Sequence, residues 1–138
     1  MTNDQITYNL RNRLGIERLN DMQEAVSTSA SREIILLSPT GSGKTVAFAI
    51  PLLRSLTTAD GTVQAVVIAP ARELVLQISR VIRELATGYK TVAFYGGHSM
   101  TDETRSLQTV PDIVVATPGR LLDHIRRGQL SVETARTL

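Results

Sequence analysis

The stretch EIILLSPTGSGKT, residues 33–45, decides the fold class of this chain. Its first five residues form a short apolar run of the kind that makes a buried β-strand. The next eight, SPTGSGKT, contain two glycines and a lysine, and a helical pattern begins at Lys44. A strand, a glycine-rich turn and a helix in this order predict the first unit of an α/β domain with a parallel sheet.

Three further apolar runs downstream also predict strands, at residues 63–69, 91–95 and 112–116. The segments between and after the strands carry helical spacing and predict helices at 44–56, 72–86, 100–107 and 118–127. Two more helices are expected before the first strand, at 4–14 and 20–28. The βαβαβαβα order predicts a doubly wound domain, with helices on both faces of the sheet.

The composition limits the class of protein. A hydrophobic fraction of 42% in 138 residues is enough for one domain with an ordinary core. No apolar run approaches the roughly 20 residues of a membrane span, and the absence of cysteine excludes disulfides and zinc–thiolate sites. A cytoplasmic protein is therefore expected. The net charge of +2 permits a polyanionic partner without arguing strongly for one.

The turn after the first predicted strand is a candidate phosphate site, here called the phosphate loop. It consists of Ser38, Pro39, Thr40, Gly41, Ser42, Gly43, Lys44 and Thr45. The two glycines let successive N–H groups point at phosphate oxygens beside a helix N-terminus. Lys44 offers a cation to the β and γ phosphates, and the Thr45 hydroxyl is suited to bind Mg²⁺. ATP and Mg²⁺ are the expected cofactors, with Lys44 and Thr45 as candidate catalytic residues and Thr45 as the metal ligand. The alternative is a plain glycine- and serine-rich turn.

Three short segments, each containing glycine, proline or charged residues, follow the other three predicted strands. We call these segments the rim. They are Pro70, Ala71, Arg72 and Glu73, then Gly96 and Gly97, and finally Thr117, Pro118, Gly119 and Arg120. Parallel strands end on one edge of a sheet, where ligands bind. Helix N–H groups, a hydroxyl and guanidinium groups at that edge suit phosphates. Taken alone, residues 70–77 are more readily a plain helix start, and Gly96 and Gly97 could be a plain turn.

The ordered series SPTGSGKT, PARELVLQ, GG and TPGR resembles the first RecA-like domain of the DEAD-box RNA helicases, over essentially the whole chain. The resemblance implies a P-loop α/β domain, with residues 1–30 as a helical region like the family's Q motif and 31–138 as the βα core. It implies that the phosphate loop holds ATP and that Gln23 recognises adenine. It also implies that the rim binds the backbone of a single RNA strand without reading its sequence.

The chain departs from the family's pattern in a few places. Ser38 replaces the usual alanine, and Ala71 replaces a threonine, which removes one hydroxyl contact to RNA. The segment GIERLNDMQ, residues 15–23, lacks the usual aromatic at Ile16, proline at Leu19 and threonine at Asn20. Gln23 remains, although a lone glutamine on a helix is more often simply solvated.

The acidic motif of the family, Asp-Glu-Ala-Asp, is absent from these 138 residues. In the family it follows closely after a segment like 121–138 and holds the magnesium and the attacking water. We therefore expect an incomplete domain that binds ATP without hydrolysing it, and whose parent also has a second RecA-like domain. We also expect an exposed sheet edge that favours self-association.

Two other functions remain open from the sequence. A P-loop kinase or a small nucleotide-binding regulator would explain the phosphate loop but not the rim. A non-catalytic ATP- and RNA-binding module would explain both, and ATP turnover by the parent protein would separate it from a helicase.

Overall fold

The computed structural model describes residues 1–138 as six helices and three strands. The helices are α1 (Asn3–Leu14), α2 (Asp21–Thr28), α3 (Lys44–Ser55), α4 (Arg72–Leu85), α5 (Met100–Ser106) and α6 (Pro118–Arg126). The strands are β1 (Ala65–Ile68), β2 (Thr91–Phe94) and β3 (Ile113–Ala116). Every helix predicted from the sequence is confirmed, to within one residue at each end. None of the helices combines the length and apolar character needed to cross a bilayer.

The three strands form a parallel sheet in the order β1-β3-β2. β3 lies in the middle, and all four of its residues are fully buried. The register places Ile68 of β1 and Phe94 of β2 beside Ala116, the last residue of β3. The loops that follow the three strands therefore begin side by side at one edge of the sheet.

The central strand separates two hydrophobic cores, one on each face of the sheet. Ile113 and Val115 pack in the larger core, to which α1, α3 and α4 contribute. Val114 and Ala116 pack in the smaller core with Phe94 and with α6 residues. Alternate side chains of a strand point to opposite faces, so a fully buried strand requires helices on both. The predicted α/β class with a covered parallel sheet is confirmed.

The strand predicted at residues 33–37 was wrong, because this segment pairs with no other strand. Its apolar side chains lie in solvent, with Ile35 92% and Leu37 90% exposed. An apolar run shows which side chains favour burial, but a strand also needs a neighbour to satisfy its backbone groups. No strand within these 138 residues supplies that neighbour.

The free edge of β1 is covered only at its beginning, by the last residues of the chain. The N–H of Arg136 donates to the carbonyl of Gln64 at 2.8 Å, and the N–H of Val66 donates to that of Thr137 at 2.9 Å. Thr137 thereby forms a parallel bridge with Ala65. Farther along the strand, Ile68 remains 46% exposed.

Candidate nucleotide and nucleic-acid interface

Three helices begin without a side-chain cap, and all three start in the phosphate loop or the rim. The N-cap residues of α3, α4 and α6 are Gly43, Ala71 and Thr117, and none of them caps its helix through a side chain. The other helices are capped by Thr2, Asn20 and Ser99. The first-turn N–H groups of a helix have no partner within it, and the helix dipole adds partial positive charge there. The uncapped helix starts therefore leave donors available to anions.

The phosphate loop and the rim are neighbours in space. Lys44 and Thr45 line an open cavity of about 620 Å³ that also includes Ala69 and Pro70, at the end of β1. The cavity thus joins the start of α3 to the segment that leads into α4.

The phosphate loop depends on glycine for its path. Gly41 has φ of 77° and Gly43 has φ of 87°, both in the left-handed region that disfavours other residues. A Cβ atom at Gly43 would also collide with the side-chain amide of Gln23. The sequence-based assignment of these two glycines to a tight backbone curl therefore agrees with the structure.

The loop is closed onto itself by side-chain hydrogen bonds. The Lys44 Nζ donates to the carbonyls of Ser38 at 2.6 Å and Pro39 at 2.7 Å. The hydroxyl groups of Ser38 and Ser42 are 2.5 Å apart, and the Ser42 hydroxyl donates to the Pro39 carbonyl at 2.7 Å. Thr40 lies exposed at the tip of the loop. The ammonium group is thus at the centre of the loop, where a phosphate would compete with these carbonyls for it.

The side chains of the phosphate loop suit a nucleotide phosphate better than a metal ion bound by protein ligands alone. No group of three or more His, Cys, Asp or Glu side chains is arranged to hold a metal ion. Thr45 is the one residue that the sequence predicts as a metal ligand. A Mg²⁺ ion at this position would therefore take its other oxygens from phosphates and water, as this ion commonly does.

Gln23 supports the phosphate loop from α2. Its side chain is 5% exposed, so the expectation for an ordinary helical glutamine, that it is solvated, was wrong here. Its Oε1 accepts from the Asn20 N–H at 3.0 Å, and its Nε2 donates to the Gly43 carbonyl at 3.2 Å. The Asn20 side chain donates to the Ser42 carbonyl at 3.0 Å. The adenine contact implied for Gln23 stays a prediction, and its amide is engaged with the loop and the helix cap.

Most of the rim is open to solvent. Pro70, Ala71, Arg72 and Glu73 are exposed, as are Gly96, Gly97, Pro118 and Gly119, whereas Thr117 and Arg120 are half-buried. The strand register places the three rim segments beside one another, as predicted from the parallel order. The rim therefore exposes glycine and helix-start backbone together with the charged side chains of Arg72 and Glu73.

Arg72 lies at the boundary between two rim segments. Its guanidinium carbon is 5.1 Å from the ring centroid of Tyr95, and Tyr95 stacks on His98 with ring centroids 4.9 Å apart. The guanidinium also lies beside Gly97. The start of α4 is thereby joined to the loop that follows β2.

Arg120 does not present a free guanidinium group, contrary to the expectation from the sequence. Its Nε donates to Oε2 of Glu103 at 2.7 Å, and its Nη2 donates to the His98 carbonyl at 2.5 Å. The side chain is only 14% exposed. Glu103 escaped the sequence analysis because it is one of several polar residues in the short helix MTDETRS, with no spacing that marks it.

The surroundings of Glu103 favour its ionised form. Burial raises the pKa of this carboxyl, but hydrogen bonds from His124, Arg120, His98 and the Tyr95 N–H outweigh burial and hold the pKa below its usual range. The carboxylate is therefore charged at neutral pH.

The chain is similar to known helicases in sequence and structure. Residues 20–138 match the family model described as DEAD/DEAH box helicase. The ATP-dependent RNA helicase CshA of Listeria monocytogenes is 38% identical over 131 residues, which cover 92% of this chain and 25% of that protein. The ATP-dependent RNA helicase DeaD of Escherichia coli is 42% identical over 104 residues, which cover 73% of this chain and 16% of that protein.

Solved structures share the fold. A DEAD box protein from Methanococcus jannaschii superposes with a TM-score of 0.85 at 35% identity, over 96% of this chain and 37% of that one. The RNA helicase Prp28 from Chaetomium thermophilum, solved with ADP, gives a TM-score of 0.78 at 32% identity, over 96% of this chain and 34% of that one. The chain thus spans a quarter or less of the two helicases compared by sequence.

Replacing Ser38 by Ala should raise the affinity for ADP. The substitution removes the hydroxyl pair that holds the loop closed, and one such hydrogen bond contributes about 0.5–1.5 kcal/mol, equivalent to roughly two- to tenfold in affinity. Isothermal titration calorimetry with ADP measures the change, with Ser131→Ala as a control remote from the loop. Unchanged or weaker ADP binding by Ser38→Ala would show that this contact does not oppose nucleotide entry.

The Glu103 network should lose its contribution to stability in acid. The pKa of Glu103 in the folded chain lies below the ordinary value of 4.5, so the contribution is complete above pH 4.5 and declines as the pH falls through the lowered pKa. Urea unfolding between pH 7 and pH 3 should show the stability advantage of wild type over Glu103→Gln shrinking in acid. The exposed Glu133→Gln serves as the control. An advantage that stays constant with pH would contradict the assigned ionisation.

Proposed function

Because this chain belongs to the DEAD/DEAH-box helicase family, we propose that it is the ATP- and RNA-binding part of an ATP-dependent RNA helicase. The observation that carries the proposal is the placement of three uncapped helix starts, one beside Lys44 and two along the rim. Such a row of unpaired donors suits a nucleotide triphosphate at one end and a phosphodiester backbone along the rest.

ATP binding is assigned to the phosphate loop. A bound triphosphate would replace the Ser38 and Pro39 carbonyls as the partner of Lys44, and the first-turn N–H groups of α3 would donate to its oxygens. Thr45 would offer its hydroxyl to a Mg²⁺ ion that accompanies the nucleotide, and the ion would supply positive charge to the phosphates. The similarity to a helicase solved with ADP supports the nucleotide assignment.

RNA binding is assigned to the rim. Its donors are backbone N–H groups, the Thr117 hydroxyl and the exposed Arg72 guanidinium, which packs over the Tyr95 ring. We assign all of them to phosphates. Contacts of this kind fix the path of a strand but carry no sequence information. The proposed substrate is therefore single-stranded RNA of any sequence, held through its phosphates.

Hydrolysis is assigned to the parent protein. The chain contains Lys44 and Thr45 but no Asp-Glu-Ala-Asp, so these residues supply phosphate binding without a carboxylate to orient water. We propose that the parent completes the site with that motif and a second RecA-like domain, and that it acts in the cytoplasm. The absence of cysteine is compatible with a reducing compartment.

A P-loop kinase or a small nucleotide-binding regulator is the competing function. Either would use the phosphate loop in the same way, but neither needs uncapped starts at both α4 and α6. The rim therefore favours the helicase.

Lys44→Ala should abolish ADP binding while leaving the binding of single-stranded RNA intact. The lysine ammonium is the only cation in the phosphate loop, whereas the rim lies on other elements. Calorimetry with ADP and fluorescence anisotropy with labelled oligouridine measure the two affinities, with Lys90→Ala as a lysine control outside both sites. Equal loss of both affinities would indicate a folding defect or a shared site.

Phosphate release distinguishes the binding role from catalysis. We expect no turnover of ATP by this chain at saturating ATP and RNA, because the groups that position water are absent. Clear turnover would overturn the proposal that this chain binds ATP and that hydrolysis requires further parts of the parent protein.

Self-association is expected at the free edge of β1. Ile68 and the unpaired segment 33–37 expose apolar side chains next to backbone groups without partners, a combination that favours pairing with another chain. Light scattering should show a molar mass that rises with concentration, and Ile68→Lys should suppress the rise. Leu122→Lys, on the 43% exposed Leu122 of α6, is the matched control. A concentration-independent monomer would contradict this expectation.

A further inference from the structure

The carboxylate of Glu103 is buried beneath the rim and contacts four partners. Oε1 of Glu103 accepts from the Tyr95 N–H at 3.2 Å and contacts Nδ1 of His98 at 3.1 Å. Oε2 accepts from Nε of Arg120 at 2.7 Å and contacts Nε2 of His124 at 2.6 Å. The Glu103 side chain has no solvent exposure. A buried charge is tolerated only when it is paired and hydrogen-bonded, and Glu103 meets both conditions. We call Glu103 and its four partners the junction.

The partners come from the segments that carry the proposed RNA contacts. Tyr95 and His98 flank Gly96 and Gly97, so Glu103 holds the glycine pair at both of its ends. Arg120 lies in the first turn of α6, and His124 lies one turn later. The chain contains two histidines, and both contact Glu103. The junction therefore fixes the glycine loop relative to the start of α6.

The two arginines of the rim differ in what they offer to a ligand. Arg120 is paired with Glu103 and is 14% exposed, so much of its charge is already neutralised. Arg72 is exposed, and its guanidinium is packed over a ring with no carboxylate partner. Arg72 therefore has charge available for a phosphate, whereas Arg120 is directed inward.

We propose that Glu103 is a positioning residue for the RNA backbone, and that Arg120 serves RNA binding through Glu103 without contacting a phosphate. The inference rests on the proposed function of the rim. Besides the Arg72 guanidinium, the phosphate donors in this account are the backbone N–H groups of the glycine loop and of the first turn of α6. Glu103 and Arg120 determine how far apart and in which direction these donors point.

The test combines a double-mutant cycle with a salt series. The variants are Glu103→Gln, Arg120→Ala, both together, and Arg72→Ala as the matched arginine on the same rim. The probe is fluorescently labelled oligouridine, and its affinity is measured by anisotropy from low to moderate salt. The logarithm of affinity falls with the logarithm of salt by about 0.7 for each phosphate contact to a single strand.

Arg120→Ala and Glu103→Gln should each weaken binding about tenfold, as expected when one charge-assisted junction is lost, and should leave the salt slope unchanged. The double variant should be no weaker than the weaker single variant, because both act on the same junction. Arg72→Ala should reduce the slope by about 0.7, since it removes a phosphate contact. A slope reduction of that size by Arg120→Ala, with or without Glu103→Gln, would show that Arg120 binds phosphate itself and would overturn the proposal.

The amide resonances of the glycines give a readout that does not depend on RNA. In ¹H–¹⁵N spectra, Glu103→Gln should shift those of Gly96, Gly97 and Gly119 and leave those of Gly41 and Gly43 in place. Unchanged rim resonances would overturn the positioning role. Failure of the wild-type chain to bind oligouridine would contradict the proposed function, while these resonances would still decide whether Glu103 organises the rim.

Discussion

The first turn of a helix carries backbone N–H groups that have no partner within the helix, and this chain leaves them without a side-chain cap at the starts of α3, α4 and α6. A side chain caps α1, α2 and α5, but none caps α3, α4 or α6. Parallel pairing then places the loops after β1, β2 and β3 side by side. The sheet topology thus brings the starts of α4 and α6 to one edge, and a shared cavity joins the start of α3 to that edge at Ala69 and Pro70.

The same edge needs internal support, because glycine loops and helix starts have few packing contacts of their own. Gln23 and Asn20 supply it to the phosphate loop through hydrogen bonds to the Gly43 and Ser42 carbonyls. Glu103 supplies it to the rim through its buried junction. Gln23 and Glu103 are buried polar side chains, and both supports leave backbone donors to face the ligand. At the rim, binding through fixed donors requires little reorganisation when a phosphate arrives.

Much of the fold followed from the sequence because helix periodicity and strand composition are local properties. All six helices and the strands at Ala65–Ile68, Thr91–Phe94 and Ile113–Ala116 were predicted. The strand at 33–37 was not realised, since pairing depends on a partner elsewhere in the fold. The hydrogen-bond partners of individual side chains could not be predicted from the sequence either. The ion pair of Arg120 with Glu103 joins α6 to α5, and no spacing along the chain indicates that contact.

The central claim is that uncapped helix starts, and not merely basic side chains, bind the phosphates of ATP and RNA. The most direct measurement is a ¹H–¹⁵N titration of this chain, first with ADP and then with oligouridine. The account predicts that ADP shifts the first-turn amides of α3, that RNA shifts those of α4 and α6, and that the capped start of α1 does not respond. Shifts spread over the basic side chains of the surface, with the first-turn amides of α3, α4 and α6 unmoved, would contradict it.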